Sequence, residues 1–570
     1  MAIILNNFQE GIAPSQVLGI ARMSETDITS FPGAARINYT VPTDTGSSNF
    51  TDYAKWIVLD TQNNVLYAMD ADGVVYSRAS GTWTAVSGNQ TSTSSKTFTV
   101  DTGTEILTLS GSDANITPTG TGVFVTSTSS LPSPLVAGTQ YFVINASATT
   151  IQLATSYANA IAGTAINITT AGSGTHTITN GGQAGNGLVY WKGYLFAFRN
   201  ANVDLYGPLG NSPAWINTWA GIDNDSLFHP ALWGQDDILY VGAGRYVWSL
   251  SENTGTTFTP GTTAVSNSTC TLSTRALDLP QNYRIKCMAE LGVNLMLGTW
   301  QGATVTDIKV ADIFPWDRVS PSFDIPLKLQ ENGVSQMINK DNIIYAVAGT
   351  SGKLFASNGS SVRLVAQLPN YITALEGTYL EFFPGAIMTH QGRVWFGVSC
   401  TADPNNVHGN GLWSYDPDTN VLNWELNFAS GHVMGALFSY NREQYLLGNG
   451  KPSTSSYQMR LSTSSSRATT SIIESQQYRV GTIIEPATFN KLSVELAKPL
   501  AADETIDILW REGTTDSFVS IPGTPFSTAG EQAFTAPANI QNARNVQIQV
   551  QMNGTASATS GPYLMEVRLD

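Results

Sequence analysis

Short apolar strands separated by polar turns recur along this chain at a nearly even step. The unit is an apolar approach, a polar turn and an apolar strand, often closed by Gly. It reads "VLDTQNNVLYA" at 58–68, "YWKGYLFAF" at 190–198 and "LWGQDDILYVG" at 232–242. It returns as "AELGVNLMLG" at 289–298, "INKDNIIYAVAG" at 338–349, "MTHQGRVWFGV" at 388–398 and "FSYNREQYLLG" at 438–448. Leu66, Leu195, Leu239, Met296, Tyr345, Trp395 and Tyr445 are equivalent in this alignment. The strand after each turn is apolar throughout, as expected of an inner strand covered on both faces. A second strand follows most copies, such as "GRYVWSLS", "GKLFASNG" and "GLWSYDP".

From Leu195 onward the copies recur every 44 to 57 residues or about that, the blade length of kelch-like or sialidase-like propellers. One four-stranded blade cannot bury both faces; blades packed around an axis bury one another, and closure removes most free edges. The expected fold is therefore all-β: a β-propeller of seven blades, with an inserted small β domain and a C-terminal β-sandwich. The expected boundaries are 1–91 for an N-terminal segment and first blade, 92–180 for the insert and 181–461 for the remaining blades. A linker at 462–470 and the sandwich at 471–570 complete the chain. The insert rests on the long first step and on Thr-rich alternating strands such as "TFTVDT" and "GVFVTSTS". The sandwich rests on "NKLSVELA", "ETIDILWRE", "NVQIQVQM" and "YLMEVRLD" after the polar stretch "STSSSRATTS". Residues 6–40 precede the first copy and are expected to complete the last blade or cap the ring.

Composition narrows the function. Charged residues are only 12 % of the chain, and 51 glycines accompany abundant Ser and Thr, a turn-rich strand composition. The net charge of −15 argues against a dedicated nucleic-acid binder, which needs a basic stripe. It is compatible with a channel wall that DNA slides past without being gripped. Cys270, Cys287 and Cys400 are too far apart for a zinc site and read as buried apolar residues. No apolar run approaches the roughly 20 residues of a membrane span, and "MAIILNNFQEG" lacks the basic start of a signal peptide.

The stretch "SENTGTTF" is one conservative step at two places from S-x-D-x-G-x-T-W, the Asp-box turn of sialidase-like propellers. Ser251, Asn253, Gly255, Thr257 and Phe258 carry it. Its expected place is the hairpin between outer strands of a blade, with Gly255 at positive φ and Phe258 tucked beneath. That role is structural. A sialidase-like site would need an arginine cluster, a Tyr–Glu nucleophile pair and an Asp acid. The nearest entry string, "NYRIK", matches with Tyr283, Arg284 and Ile285, but Lys286 replaces Pro and the string lies mid-chain. His176, His229, His390, His408 and His432 form no metal-binding spacing. "DADG" at 70–73 and "DPDTN" at 416–420 lack the later acidic residue of an EF-hand and read as turns. Trp83, Trp215, Trp219 and Trp316 could stack on sugars, and blade packing accounts for them equally well. No catalytic residue, cofactor or metal is expected.

Two stretches resemble virion proteins of tailed bacteriophages. "EGIAPSQVLG" and "DITSFPGAARI" are similar to a family opening with a G-[IL]-A-x-S turn, a second Gly and a D-I-x-S-x-P-G signature. Gly11, Ser15, Gly19, Asp27, Ile28, Ser30, Pro32 and Gly33 hold those places. Within the insert, Leu131, Pro132, Leu135, Gly138, Thr139, Tyr141, Val143, Asn145, Ala146, Gln152 and Leu153 match a module recurrent in phage tail proteins. Together the two cover about a fifth of the chain. The resemblance implies a structural tail protein of nozzle, hub or tip type, made in the host cytoplasm and carried in the virion. It implies a ring homo-oligomer, expected as a hexamer, meeting adaptor, fibre or tip proteins, with DNA passing through a channel and no membrane insertion. The alternative is a tip or fibre protein binding a host surface glycan; a sialidase-like glycosidase ranks third.

Overall fold

The computed structural model describes residues 3–5, 20–24, 26–27, 35–37, 41, 43–87, 94–180, 184–200, 202–222, 228–255, 258–266, 268–301, 311–329, 331–350, 352–368, 380–399, 410–428, 431–440, 444–462, 468–475, 477–481, 485–513, 516–554 and 561–570. The fold is all-β. Among the described residues, seven small antiparallel sheets follow one another, six of four strands and the last of three. We number them one to seven. Their first strands are Ala54–Asp60, Gly187–Trp191, Ala231–Trp233, Tyr283–Leu291, Val334–Lys340, Ile387–His390 and Val433–Ser439. Each first strand packs on that of the next sheet, and Val433–Ser439 packs back on Ala54–Asp60, so the sheets form a closed ring of propeller character. The seven positions aligned from sequence each fall in the second strand of a sheet, from Leu66 in Val65–Asp70 to Tyr445 in Tyr445–Lys451.

The glycines that close the repeat have a packing cause. A Cβ on Gly242 would stand 2.9 Å from Ile285, and one on Gly298 2.9 Å from Val334. A Cβ on Gly397 would meet Met434 at 2.7 Å, and one on Gly448 would meet Ala54 at 2.8 Å. Each neighbour lies on or at the first strand of the following sheet, so the missing side chain lets consecutive sheets approach.

Sheet seven is closed by the chain ahead of sheet one. Thr43 bridges Arg460, the Asp44 amide donates to the Met459 carbonyl at 2.8 Å, and Arg460 Nη1 donates to the Val41 carbonyl at 2.9 Å. Asp44 then accepts from Arg78 Nε at 2.5 Å and from Trp83 Nε1 at 2.8 Å, both on sheet one. One buried carboxylate thus ties the last sheet to the first.

The segment 6–40, read as completing the last blade or capping the ring, pairs elsewhere in its described part, and the contacts to sheet seven come from Val41, Thr43 and Asp44. Ile3–Leu5 and Ala35–Ile37 pair with Tyr563–Leu569, at the other end of the chain. Ile20–Ser24 pairs with Thr470–Ser475. They join two six-stranded sheets formed mainly by residues 470–569. Leu5, Leu492 and Val567 of one sheet share a core with Ile473, Ile508 and Val550 of the other. Phe396, Trp413 and Trp424 of sheet six belong to the same core, so these sheets rest on the ring.

Between sheets one and two, residues 95–180 form a closed six-stranded barrel around Phe98, Leu107, Val125, Val143, Leu153 and Ile178. Residues that carry the phage-tail resemblance have local tasks there. Tyr141 Oη accepts from the Val136 amide at 2.8 Å, Asn145 Nδ2 donates to the Thr117 carbonyl at 2.7 Å, and Gly138 has φ +78°. The barrel is fixed to sheet two. The Gly122 amide donates to Asn202 Oδ1 at 2.9 Å, and Gln140 Nε2 donates to the Ile222 carbonyl at 3.0 Å.

Removing one partner of a buried charge pair costs about 3 kcal/mol. Asp44→Ala strips both Arg78 and Trp83 of their acceptor, so we expect a loss of that order in urea unfolding followed by Trp fluorescence. A loss below about 0.5 kcal/mol, the size of an ordinary surface change, would contradict this role for Asp44.

Candidate functional site

The first strands of sheets one, four, five and seven each carry a β-bulge at a corresponding place. The residues set out of register are Lys55, Lys286, Ser335 and Gly435. The registers Ala231 to Val241 and Ile387 to Phe396 put His229 and Gly385 at the matching place in sheets three and six. A bulge re-aims the side chain it carries. Here it breaks the inner strands where they line the middle of the ring.

Two rings mark that middle. Phe228 precedes sheet three and Phe383 precedes sheet six; their centroids lie 6.1 Å apart, edge to face. Tyr53 packs against Phe383 at 5.7 Å. Lys55 Nζ stands 5.1 Å from the Phe228 centroid and Lys286 Nζ 5.5 Å from it. Sheets one and four face each other across a ring of seven, so the ring both lysines reach lies near the axis. Gln336 clamps the wall beside it, with Nε2 donating to the carbonyls of Phe383, Ala386 and Gly397 at 2.9, 3.1 and 3.2 Å.

The two lysines differ in their electrostatics: Lys55 lies near Asp52 and Asp70, and Lys286 has no acidic neighbour acting on it. Lys286 is 1 % exposed. Its ammonium lies over Phe228 and, at 4.8 Å, over Trp300, and has no hydrogen-bond or carboxylate partner among the described residues. Burial pushes it down to about 7, helped by the nearby Arg284 charge. Burial also lowers Lys55 to about 8, against the pull of Asp52 and Asp70. His229 is fully buried and shares a hydrogen bond with the Gly242 carbonyl through Nδ1 at 3.1 Å. A carbonyl only accepts, so Nδ1 carries the proton. Burial drives His229 to about 4, and Lys286 adds to that. Asp52, held at about 6 by burial, is a weak counter-ion.

The residues singled out from sequence lie elsewhere. Ser251 is the last residue but one of the strand Tyr246–Glu252, and Gly255 turns at φ +84°. Asn253 Oδ1 accepts from the Thr271 hydroxyl at 2.5 Å across the hairpin, and its amide donates to the Thr269 carbonyl. Phe258 is buried against Trp191 at 5.6 Å. Thr257 lies outside the described residues, as do Gly11, Ser15, Gly19, Ile28, Ser30, Pro32, Gly33, Cys400 and His408. Asp27 sits in the short strand Thr26–Asp27. Arg284 turns back to the carbonyls of Gln281 and Tyr283. Trp83 and Trp316 are buried, Trp215 packs on Tyr206 and Trp219 on Phe196. The described residues contain no group of three potential metal ligands. Lys55, His229, Lys286 and Phe228 received no role from sequence. The available signal was a lone lysine inside each of the apolar strands "AKWIVL" and "RIKCMAEL".

Two cavities lie away from the centre. One, of about 780 Å³, opens between the first hairpins of sheets five, six and seven, beside Asn339, Asp341, His390 and Ser439. The other, of about 510 Å³, runs along the barrel beside Phe98 and His176, among the hydroxyls of Thr97, Thr99, Thr108, Ser110 and Thr175.

No family model matches the chain, and no curated protein matches it significantly. Solved structures do. The computationally designed Ika8 protein aligns at 12 % identity and a TM-score of 0.34, over 74 % of this chain and 99 % of that one. The Cps50 (Swd1) β-propeller domain of Myceliophteria thermophila aligns at 9 % identity and a TM-score of 0.37, over 74 % and 98 %. An exo-β-1,3-galactanase of Phanerochaete chrysosporium aligns at 9 % identity and a TM-score of 0.23, over 67 % and 95 %. At these values no residue role passes from those proteins to this chain.

Unfolding returns Lys286 to the ordinary lysine range. Between about pH 7 and that range the unfolded chain holds a proton that the folded chain does not. Stability therefore rises with pH in this window. We expect wild-type urea midpoints to climb from pH 7 to 10, and Lys286→Met to delay the climb to about pH 8, where Lys55 takes over. Identical pH profiles for the two proteins would refute the assignment.

Proposed function

We propose that the chain is a structural protein of a phage tail, a nozzle, hub or tip component without enzymatic activity. In this reading the seven sheets are the blades of a kelch- or sialidase-like propeller, residues 92–180 are its inserted module, and 471–570 form the core of a C-terminal sandwich. Barrel and sandwich then offer contacts to neighbouring copies and to adaptor, fibre or tip proteins. The sequence resemblance at 10–37 and 131–153 supplies the tail assignment. The observation that supports a scaffold over an enzyme is the occupied ring centre. Phe228 is buried there between cationic side chains, where an axial glycosidase would hold its substrate and its carboxylates. A DNA channel in this reading runs between copies, not through the ring of one chain, because Phe228 stands on that axis. Closed cyclic symmetry is the usual form of such assemblies, and six copies are proposed.

A second reading has one observation behind it. The barrel groove pairs an aromatic ring, Phe98, with a row of hydroxyls, which suits a neutral host glycan. It would make the barrel a receptor-binding module of a tip or fibre protein.

Native mass spectrometry of the full chain is expected to show a closed oligomer, six copies under this proposal. A monomer at every concentration would oppose the ring. Turnover of a fluorogenic sialoside, lost in Arg284→Ala, would replace the scaffold reading with a glycosidase.

A further inference from the structure

Lys286 presents an unsolved problem in electrostatics. A charged lysine of which 1 % is exposed is costly unless an anion or several acceptors compensate it. Its neighbours are the faces of Phe228 and Trp300, at 5.5 and 4.8 Å. Cation–π attraction of this kind contributes about 2 kcal/mol when desolvated, well short of the penalty. A second cation, Lys55, comes from the opposite side of the ring to the same Phe228. Ser335, buried at the corresponding bulge of sheet five, brings a hydroxyl to the same level. Lys55 has the carboxylates of Asp52 and Asp70 near it, whereas Lys286 has only the like charge of Arg284, unlike the chain's buried arginines. Arg199 pairs with Asp204 at 2.8 Å, both fully buried, and Arg78 pairs with Asp44.

We propose that the centre of the ring is a binding site for a small oxyanion, held by the ammonium groups of Lys286 and Lys55. The chemistry required is one or two negative charges on oxygens that accept hydrogen bonds, in a body small enough to sit among Phe228, Trp300 and Phe383. Inorganic phosphate and a short carboxylate share it. Phe383 and Tyr53 are only partly buried, which marks the side from which such an ion enters. Binding keeps both lysines charged, so affinity falls as the pH rises above the value at which the empty site loses its proton. The ion would act as a central pin, compensating charge where several inner strands are bulged. This proposal is independent of the tail assignment.

The test uses the full chain at constant ionic strength and pH 7, with sodium chloride exchanged stepwise for sodium phosphate or sodium acetate. Thermal midpoints of wild type, Lys286→Met and Lys55→Met are compared. Phosphate stabilises proteins generally by exclusion, so the readout is the saturable part of the response that the variants lack. The expected result is a saturating rise of about 2 °C or more in wild type, absent in Lys286→Met and reduced in Lys55→Met. A rise in phosphate alone assigns an inorganic oxyanion; an equal rise in acetate assigns a carboxylate. Should Lys286→Met fail to fold, broadening of the phosphate ³¹P resonance by wild type, reversed by raising the pH to 10, gives the same answer. Equal responses in wild type and variants, or no broadening, would overturn the site.

Discussion

Everything in this molecule depends on the last sheet meeting the first. A small β-sheet has two faces and buries neither alone, so each sheet of the ring borrows its core from its neighbours. The seam between sheets seven and one is where that borrowing would fail. Gly448 brings its strand against Ala54, and Gly435 lies against the Ala54 carbonyl, where a Cβ would stand 2.1 Å away. Asp44 reaches from the edge of sheet seven to Arg78 and Trp83 of sheet one. Backbone contact and a buried charge pair thus lock one seam. The chain that closes the ring also carries the strands that pair with Tyr563–Leu569.

The centre follows from the ring. Inner strands converging on an axis leave little room, and bulges at Lys55, Lys286, Ser335 and Gly435 turn one residue per strand out of the ladder. Where that residue is Gly the backbones touch; where it is Lys the ammonium enters the middle beside Phe228. The result is a hub that holds a buried lysine with no carboxylate partner among the described residues, unlike the paired carboxylates that glycoside hydrolysis requires. The chain as a whole is acidic, so this charge is local and does not make the surface basic.

The repeat was legible because its cause is local. A polar turn and an apolar inner strand are contiguous, and the glycine after "LYV", "LML" or "LL" has a close neighbour in the next sheet. The positive φ of Gly255 was legible for the same reason, since Asn253, Gly255 and Thr271 belong to one hairpin. The partners of Ile3–Leu5 were not legible, because they lie at the far end of the sequence and three apolar residues specify no partner. The central lysines were invisible for another reason. A single Lys in an apolar strand reads as an edge or a snorkelling side chain, and only the closed ring shows that Lys286 is almost wholly buried.

The tail assignment rests on short stretches at 10–37 and 131–153, and one measurement bears on it most directly. A cryo-EM map of purified tailed virions whose genome carries this sequence is expected to contain the chain as a ring of copies around the tail axis. The ring of sheets, the 95–180 barrel and the joined chain ends should each be recognisable in every copy. A complete tail map with no density for this fold, from virions that lack the protein by mass spectrometry, would contradict the account.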